Sequence, residues 1–232
     1  MGYFELYKKR MDIYGNSIKE SRKNASIDLI KSNFQDSPSH ETVDITNHSG
    51  ELVSNEGLQI TDDSSLKKFT SHKIAITHPD NTLESGWLIE FNNENWLVTT
   101  TDYLNGMYYK ALIKKTNNTF KIKTGETSEI TGYDDMGRPI TTKTPIFYET
   151  EAVVEKKLII NKFAEFDQPI NLPDGRIQVT FTYSPSHTIK EGNTFDMYNS
   201  TFKILDVDYT QVNNDVGVLA IIGDKVVGGG SA

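Results

Sequence analysis

The chain has 232 residues, 36% of them apolar, and a formal net charge of −8. That length suffices for one large or two small domains with real cores, and the low apolar share points to extensive loop surface. The absence of cysteine excludes a disulfide framework, thiolate chemistry and cysteine-based zinc sites, and the absence of a long apolar run excludes a membrane-spanning helix.

The helical signal is concentrated at the start. Phe4, Tyr7, Met11 and Tyr14 recur at spacings of three and four, which places them on one helix face. Gly15 and Asn16 read as a C-cap. Ser26 precedes a second short helix carrying Ile27, Leu29, Ile30 and Phe34, with Asp28 near its start, and Asp36-Ser37-Pro38 ends it. The charged beginning is not followed by an apolar core, so no secretory leader is expected. Leu6 stands where a myristoylation motif needs Ser or Thr, and the default compartment is the cytosol. Residues 1–34 carry Lys8, Lys9, Arg10, Lys19, Arg22, Lys23 and Lys31 against Glu5, Asp12, Glu20 and Asp28, leaving about +3 on this arm and about −11 on the rest. A basic arm on an acidic body favours docking to an acidic protein or a neighbouring subunit over nucleic acid, whose phosphates the body repels. The aromatic face either packs on the chain's own β-body or reaches another chain. On the second reading Phe4, Tyr7, Lys8, Lys9, Arg10, Met11 and Tyr14 form an assembly site.

Residues 37–83 are polar and rich in turns. Short strands are expected at 42–46 and 73–77, with residues 47–63 between them as an excursion loop marked by Ser49-Gly50 and Glu56-Gly57. Residues 86–122 then read as a β-meander. Trp87, Ile89 and Phe91 alternate with polar or outward positions, Asn92-Asn93 turns the chain, and Trp96-Leu97-Val98 runs back. A second pair is expected at 108–114 and 119–122 around Asn117-Asn118. Both tryptophans fall in this stretch, which marks a dense core.

Residues 124–145 are again polar, with a hairpin tip at 135–139. Strand signals follow at 146–154, 158–160, 177–183 and 216–222, and Pro173-Asp174-Gly175 is a turn. Residues 192–209, GNTFDMYNSTFKILDVDY, align without a gap on residues 86–103, GWLIEFNNENWLVTTTDY. Any two hairpins with Asn turns share some of this likeness. The sharper reading is two copies of a small β-barrel unit, in which case the two hairpins share one geometry. Two copies are too few for a solenoid.

The chemistry-bearing residues form no constellation. His40, His48, His72, His78 and His187 are scattered, with His72 and His78 only flanking a strand. Asp62-Asp63 and Asp134-Asp135 lack the repeated ligands of a calcium loop. No nucleophile elbow, zincin helix or phosphate-binding glycine loop is present. Neither an enzyme nor a cofactor or metal is therefore expected.

Three stretches carry a family resemblance. YKKRMDIYGNSIKESR with IDLIKSNFQDSP, then WLVTT with YYKALIKKTNNTFKI, and later LPDGRIQVTFTY with GNTFDMYNSTFKILDVD resemble a family of virion proteins of tailed phages of Gram-positive bacteria. The polar insertion at 47–65 and the acidic balance depart from that pattern. The resemblance implies a neck component of head-completion, stopper or adaptor type, joining portal to tail and helping to retain or pass DNA. It implies a homo-oligomeric ring of about six or twelve copies, portal and tail partners, channel DNA contact, no membrane, and a location in the virion after assembly in the host cytoplasm. It supplies no catalytic residue.

The expected architecture is mainly β, small SH3-like barrels or tandem hairpin units with an N-terminal helical arm. Its parts are the arm at 1–36, lead strands and loop at 37–83, a first barrel unit at 84–123, a long hairpin or loop excursion at 124–170, a second barrel unit at 171–227 and a tail at 228–232. A nucleic-acid-binding β-barrel and a tail-tip glycan- or receptor-binding β-module are the competing classes. Salt-sensitive DNA binding distinguishes the first and glycan binding the second.

Overall fold

A computed structural model describes residues 3–5, 7, 17–53, 57–62, 71–156 and 175–226. The protein is mainly β with a short N-terminal helix, and it divides into two compact units at residues 115 and 116.

The first unit comprises helix α1 (Ile18–Asn33) and strands β1 (His40–Glu41), β2 (Asp44–Thr46), β3 (Leu52–Val53), β4 (Leu58–Asp62), β5 (His72–Thr77), β6 (Leu88–Phe91), β7 (Glu94–Leu104) and β8 (Tyr108–Lys115). The second comprises β9 (Asn118–Tyr133), β10 (Pro139–Lys156), β11 (Ile177–Thr182), β12 (Thr194–Met197), β13 (Ser200–Asp208), β14 (Val212–Asn213) and β15 (Val216–Lys225).

In the second unit the antiparallel ladder runs β11-β10-β9-β12-β13-β15 and returns from β15 to β11, closing a six-stranded barrel. The first unit follows the same path. Only two residues separate β1 from β2, and this interrupted pair is bonded along its length, β1 to β4 and β2 to β3. Around that double strand the order continues β5-β8-β7-β6 and back to β2. Closure removes the free edges that would invite pairing with other chains.

The likeness extends to single residues. Asn92-Asn93 and Tyr198-Asn199 all take left-handed φ near +55°, between 52° and 58°, as a two-residue primed hairpin turn requires. Gly86 N–H donates to Val98 O at 2.7 Å and Gly192 N–H to Ile204 O at 2.8 Å. Each long strand then bulges just after that residue, between Val98 and Thr100 and between Ile204 and Asp206. The expected repeat is therefore present, and it covers both barrels whole. Register matching pairs Ile45 with Ile122, Ile60 with Val154, Ala75 with Val179, Leu83 with Ile189, Trp96 with Phe202 and Ala111 with Ile221, every one of them buried. Where one barrel is large the other is small nearby: the bonded pair Leu58–Thr77 becomes Ala152–Phe181, and Ile89 with Ile113 becomes Phe195 with Gly223.

Trp96 is buried at 1% exposure, but its Nε1 has no hydrogen-bond partner. Trp96→Ala is expected to cost about 3–5 kcal/mol. Trp96→Phe is expected to cost about 1 kcal/mol or less. It removes an unsatisfied donor and installs the residue that the sister barrel uses at Phe202. Urea titrations of the two variants measure the difference.

Three expectations are corrected. Asn117-Asn118 is not a hairpin turn, since neither takes positive φ. β8 pairs with β5 and β7, while β9 opens the second barrel. Asn117 instead mimics a strand residue, its side chain giving Nδ2–H to Val154 O and accepting from Val154 N–H, both at 2.8 Å. The proposed excursion loop at 47–63 contains β3 and β4, and Leu58 and Ile60 are core residues, because the apolar positions of LQITD alternate with the pleat. The second helix starts at Ser17, whose Oγ accepts from Glu20 N–H at 3.1 Å. Ser26 lies inside that helix and gives its hydroxyl to Arg22 O. The strand expected at 158–160 and the Gly-rich tail lie outside the described residues.

Candidate assembly surfaces

Two elements stand away from the barrels' cores. The first is the N-terminal arm. Phe4 is 73% exposed and Tyr7 52%. Residues 3–5 and Tyr7 are helical, while Lys8, Lys9, Arg10, Met11 and Tyr14 lie outside the described residues. No residue of α1 is buried, so the helix is not folded by its own apolar stripe.

What fixes α1 is its C-terminal end. Phe34 is 1% exposed and meets the rings of His40 and His78 edge-on, at 5.6 and 5.3 Å between centroids. Its carbonyl accepts from Gln59 Nε2 at 3.1 Å, and Lys31 Nζ donates to Asp80 at 2.6 Å. The Lys31 hydrogen bond holds the Asp80 carboxyl below its usual range. The tether is thus formed at neutral pH and is lost as acid protonates Asp80. Lys31 is partly exposed and Asp80 exposed, so the ion pair orients the helix more than it stabilises it.

Phe34 therefore belongs to the first barrel, and cutting after residue 16 differs from cutting after residue 34. The shorter truncation is expected to leave melting of the body unchanged within a few degrees. Loss of Phe34, or Phe34→Ala, should cost about 3–5 kcal/mol. Thermal melts followed by circular dichroism check both.

Between α1 and the turn joining β7 to β8 lies a groove of about 500 Å³, lined by Lys19, Arg22, Lys23, Ser17, Ser26 and Met107, with Glu20 as its single carboxylate. Asn105 and Gly106, with φ of 52° and 66°, make that turn. The cationic heads of Lys19, Arg22 and Lys23 have no ion-pair or hydrogen-bond partner among the described residues.

The second element is the β9–β10 hairpin, which runs far beyond the barrel. Its counterpart in the first barrel is the short turn of residues 47–51. There Asn47 N–H donates to Glu51 O, Gly50 N–H to Asn47 O, and the Asn47 side chain accepts from Ser49 and Glu51 N–H. Asp134 makes the same four bonds at the tip of the long hairpin, to Arg138, Gly137, Met136 and Arg138, and Gly50 and Gly137 share a left-handed φ of 79° and 74°. The long hairpin is thus the short one with residues 124–133 and 139–146 inserted beneath an unchanged turn. Two register shifts, at Ile140/Thr141 and Ile146/Phe147, absorb the unequal strand lengths. The insertion reaches about 30 Å at roughly 3.3 Å per residue.

This arm exposes Ile130, Tyr133, Met136, Ile140, Ile146 and Phe147. One face is laced by Lys121–Glu149 at 3.4 Å and by Glu126 between Lys123 and Lys143, and the Lys123 hydrogen bond lowers the Glu126 carboxyl. The other face carries Thr127, Thr142, Thr144 and Ile146, continuing the line of Ile122 and Tyr148. Burial raises the Tyr148 phenol, whose OH donates to Thr182 O. The sequence places a long hairpin or loop excursion at 124–170 with its tip at 135–139, and the structure pairs Asn118–Tyr133 with Pro139–Lys156 around that tip. The β-branched residues of PITTKTPI at 139–146 are the signal for the second of these strands. Among the described residues, no group of three His, Asp or Glu is placed to hold a metal ion.

Comparison with known proteins assigns both halves. Residues 13–115 match the model of the YomX N-terminal domain and residues 118–223 that of the YomX C-terminal domain, boundaries that coincide with the two barrels. An SPbeta prophage-derived protein, YomX of Bacillus subtilis (strain 168), is 28% identical across 84% of this chain and 99% of its own length. A crystal structure of MrkH from K. pneumonia aligns over 88% of this chain and 84% of that one at 9% identity and a TM-score of 0.21, too slight a likeness to bear on fold or function.

Proposed function

We propose that this chain, which belongs to the phage-derived family bearing the YomX N- and C-terminal domains, is a structural protein of the tailed-phage particle and a ring-forming component of its neck. The observation that carries this reading is the β9–β10 arm. The sister barrel closes with a five-residue turn, so the inserted ribbon serves no need of the fold, and it holds Ile130, Tyr133, Ile140 and Ile146 in solvent. Such a ribbon is suited to gripping a neighbour. Tandem barrels with closed ladders supply rigid blocks that stack side by side in a ring. The acidic balance suits a channel through which DNA slides without being held.

The barrel aromatics favour assembly over single-strand binding. Phe120 stacks on Phe181 and Phe195 on Phe202 inside the core, so these rings offer no platform for bases.

Immunogold labelling of gradient-purified particles tests the reading. Label is expected at the head–tail junction in a fixed copy number. Particles without the protein would overturn the virion role, and label confined to the tail tip would move the chain to the receptor-binding class.

A further inference from the structure

The tip of the β9–β10 arm and the groove beside α1 are complementary in charge. At the tip, Asp134 is consumed by the turn, its Oδ1 accepting from Met136 and Arg138 N–H at 2.9 and 2.7 Å. Asp135 has no ion pair or hydrogen bond among the described residues, and Met136 is 78% exposed. The turn therefore projects one free carboxylate and one flexible apolar side chain. The groove offers the reverse: the unpaired cations Lys19, Arg22 and Lys23 around an apolar patch that includes Met107.

The charge match extends beyond these groups. Residues 124–147 carry Glu126, Glu129, Asp134 and Asp135 against Arg138 and Lys143, a net of about −2. Helix α1 carries Lys19, Arg22, Lys23 and Lys31 against Glu20 and Asp28, a net of about +2. Both elements also expose large apolar side chains: Ile18 and Leu29 on α1, and six on the arm.

We propose that the arm tip of one copy docks in the α1 groove of a second copy of this chain. Asp135 would lie among Lys19, Arg22 and Lys23, and Met136 against Met107. The joined surfaces are different patches of the chain, so the contact is heterologous and joins copies head to tail, closing a ring where the rotation permits. The inference rests on the ring-forming reading above and names the two surfaces that make the ring.

The absence of native cysteine makes the contact directly trappable. Full-length Met136→Cys and Ser26→Cys chains are mixed under mild oxidation at low salt. The mixed disulfide is expected to form at least tenfold faster than either like pair. Arg22→Glu with Lys23→Glu on the Ser26→Cys chain should slow it about tenfold, and added Asp135→Lys on the Met136→Cys chain should restore much of the loss. The rate should fall with ionic strength. Circular dichroism of each variant verifies folding, which these exposed positions do not threaten. Mixed disulfide no faster than like pairs, or no effect of the charge reversals, overturns the docking. If sedimentation still shows oligomers in that case, ring formation survives by another contact. A wild-type chain that sediments as a monomer at high concentration overturns the self-docking, while particle labelling tests the virion role independently.

Discussion

Gly223→Ile is expected to destabilise the second barrel severely, and Phe195→Ile introduced beside it is expected to rescue much of the loss. A Cβ placed on Gly223 stands 2.8 Å from Phe195 Cζ and 3.4 Å from Phe202 Cβ. The matched positions of the first barrel hold Ile113 and Ile89, both fully buried. The two barrels thus fill one space by different divisions of volume. Gly223 lies on a strand without a positive φ, so the backbone tolerates a side chain there, and the penalty of Gly223→Ile is overpacking, about 3 kcal/mol or more. Phe195→Ile alone forfeits ring contacts with Phe120 and Phe202 and leaves a cavity, at a cost of about 1–3 kcal/mol. Together they rebuild the first barrel's arrangement, and a double-mutant cycle should show a favourable coupling of about 1–3 kcal/mol. Additive losses would mean that the matched positions are not packed equivalently.

The same pair explains what sequence reading can see. The hairpins at residues 86–103 and 192–209 are legible as a repeat because their geometry depends on backbone-specific residues. Gly86 and Gly192 need positive φ, and the paired turns use Asn92-Asn93 and Tyr198-Asn199. The rest of the repeat is hidden because packing conserves summed volume rather than identity. Leu58–Thr77 does not resemble Ala152–Phe181, and Ile89–Ile113 does not resemble Phe195–Gly223. Loops of unequal length then shift the matched strands out of any common spacing. Asn117-Asn118 misleads for a related reason: the residues that favour a hairpin turn also have side chains that substitute for a strand neighbour. On the N-terminal arm the helical face of Phe4 and Tyr7 is legible from its spacing, whereas its exposure is not, since the same spacing suits packing on the β-body. The role of Phe34 is not legible either, since its partners His40 and His78 come from separate strand ends.

Excising residues 124–133 and 139–146 is expected to leave both barrels folded and to abolish assembly. The deletion joins Lys123 to Asp134 and Arg138 to Phe147, and so restores the connection that the first barrel makes between Thr46 and Leu52. The turn brings its own hydrogen bonds, since those of Asp134 are the same four that Asn47 makes. Removing both register shifts with the insert keeps every core residue on its face: Ile122 still opposes Tyr148 and Phe120 still opposes Thr150. The excised side chains are solvent-exposed or partly so, so the body should change by no more than about 1 kcal/mol. Melting by circular dichroism reads that quantity. Sedimentation and incorporation into particles read the other, and both should fall to background because the shortened turn can no longer span about 30 Å to a neighbour. A variant that unfolds would make the ribbon part of the barrel's own support. A variant that folds and still assembles at normal yield would move the contact to the N-terminal helix, where truncation after residue 16 then decides whether the exposed Phe4 and Tyr7 carry it.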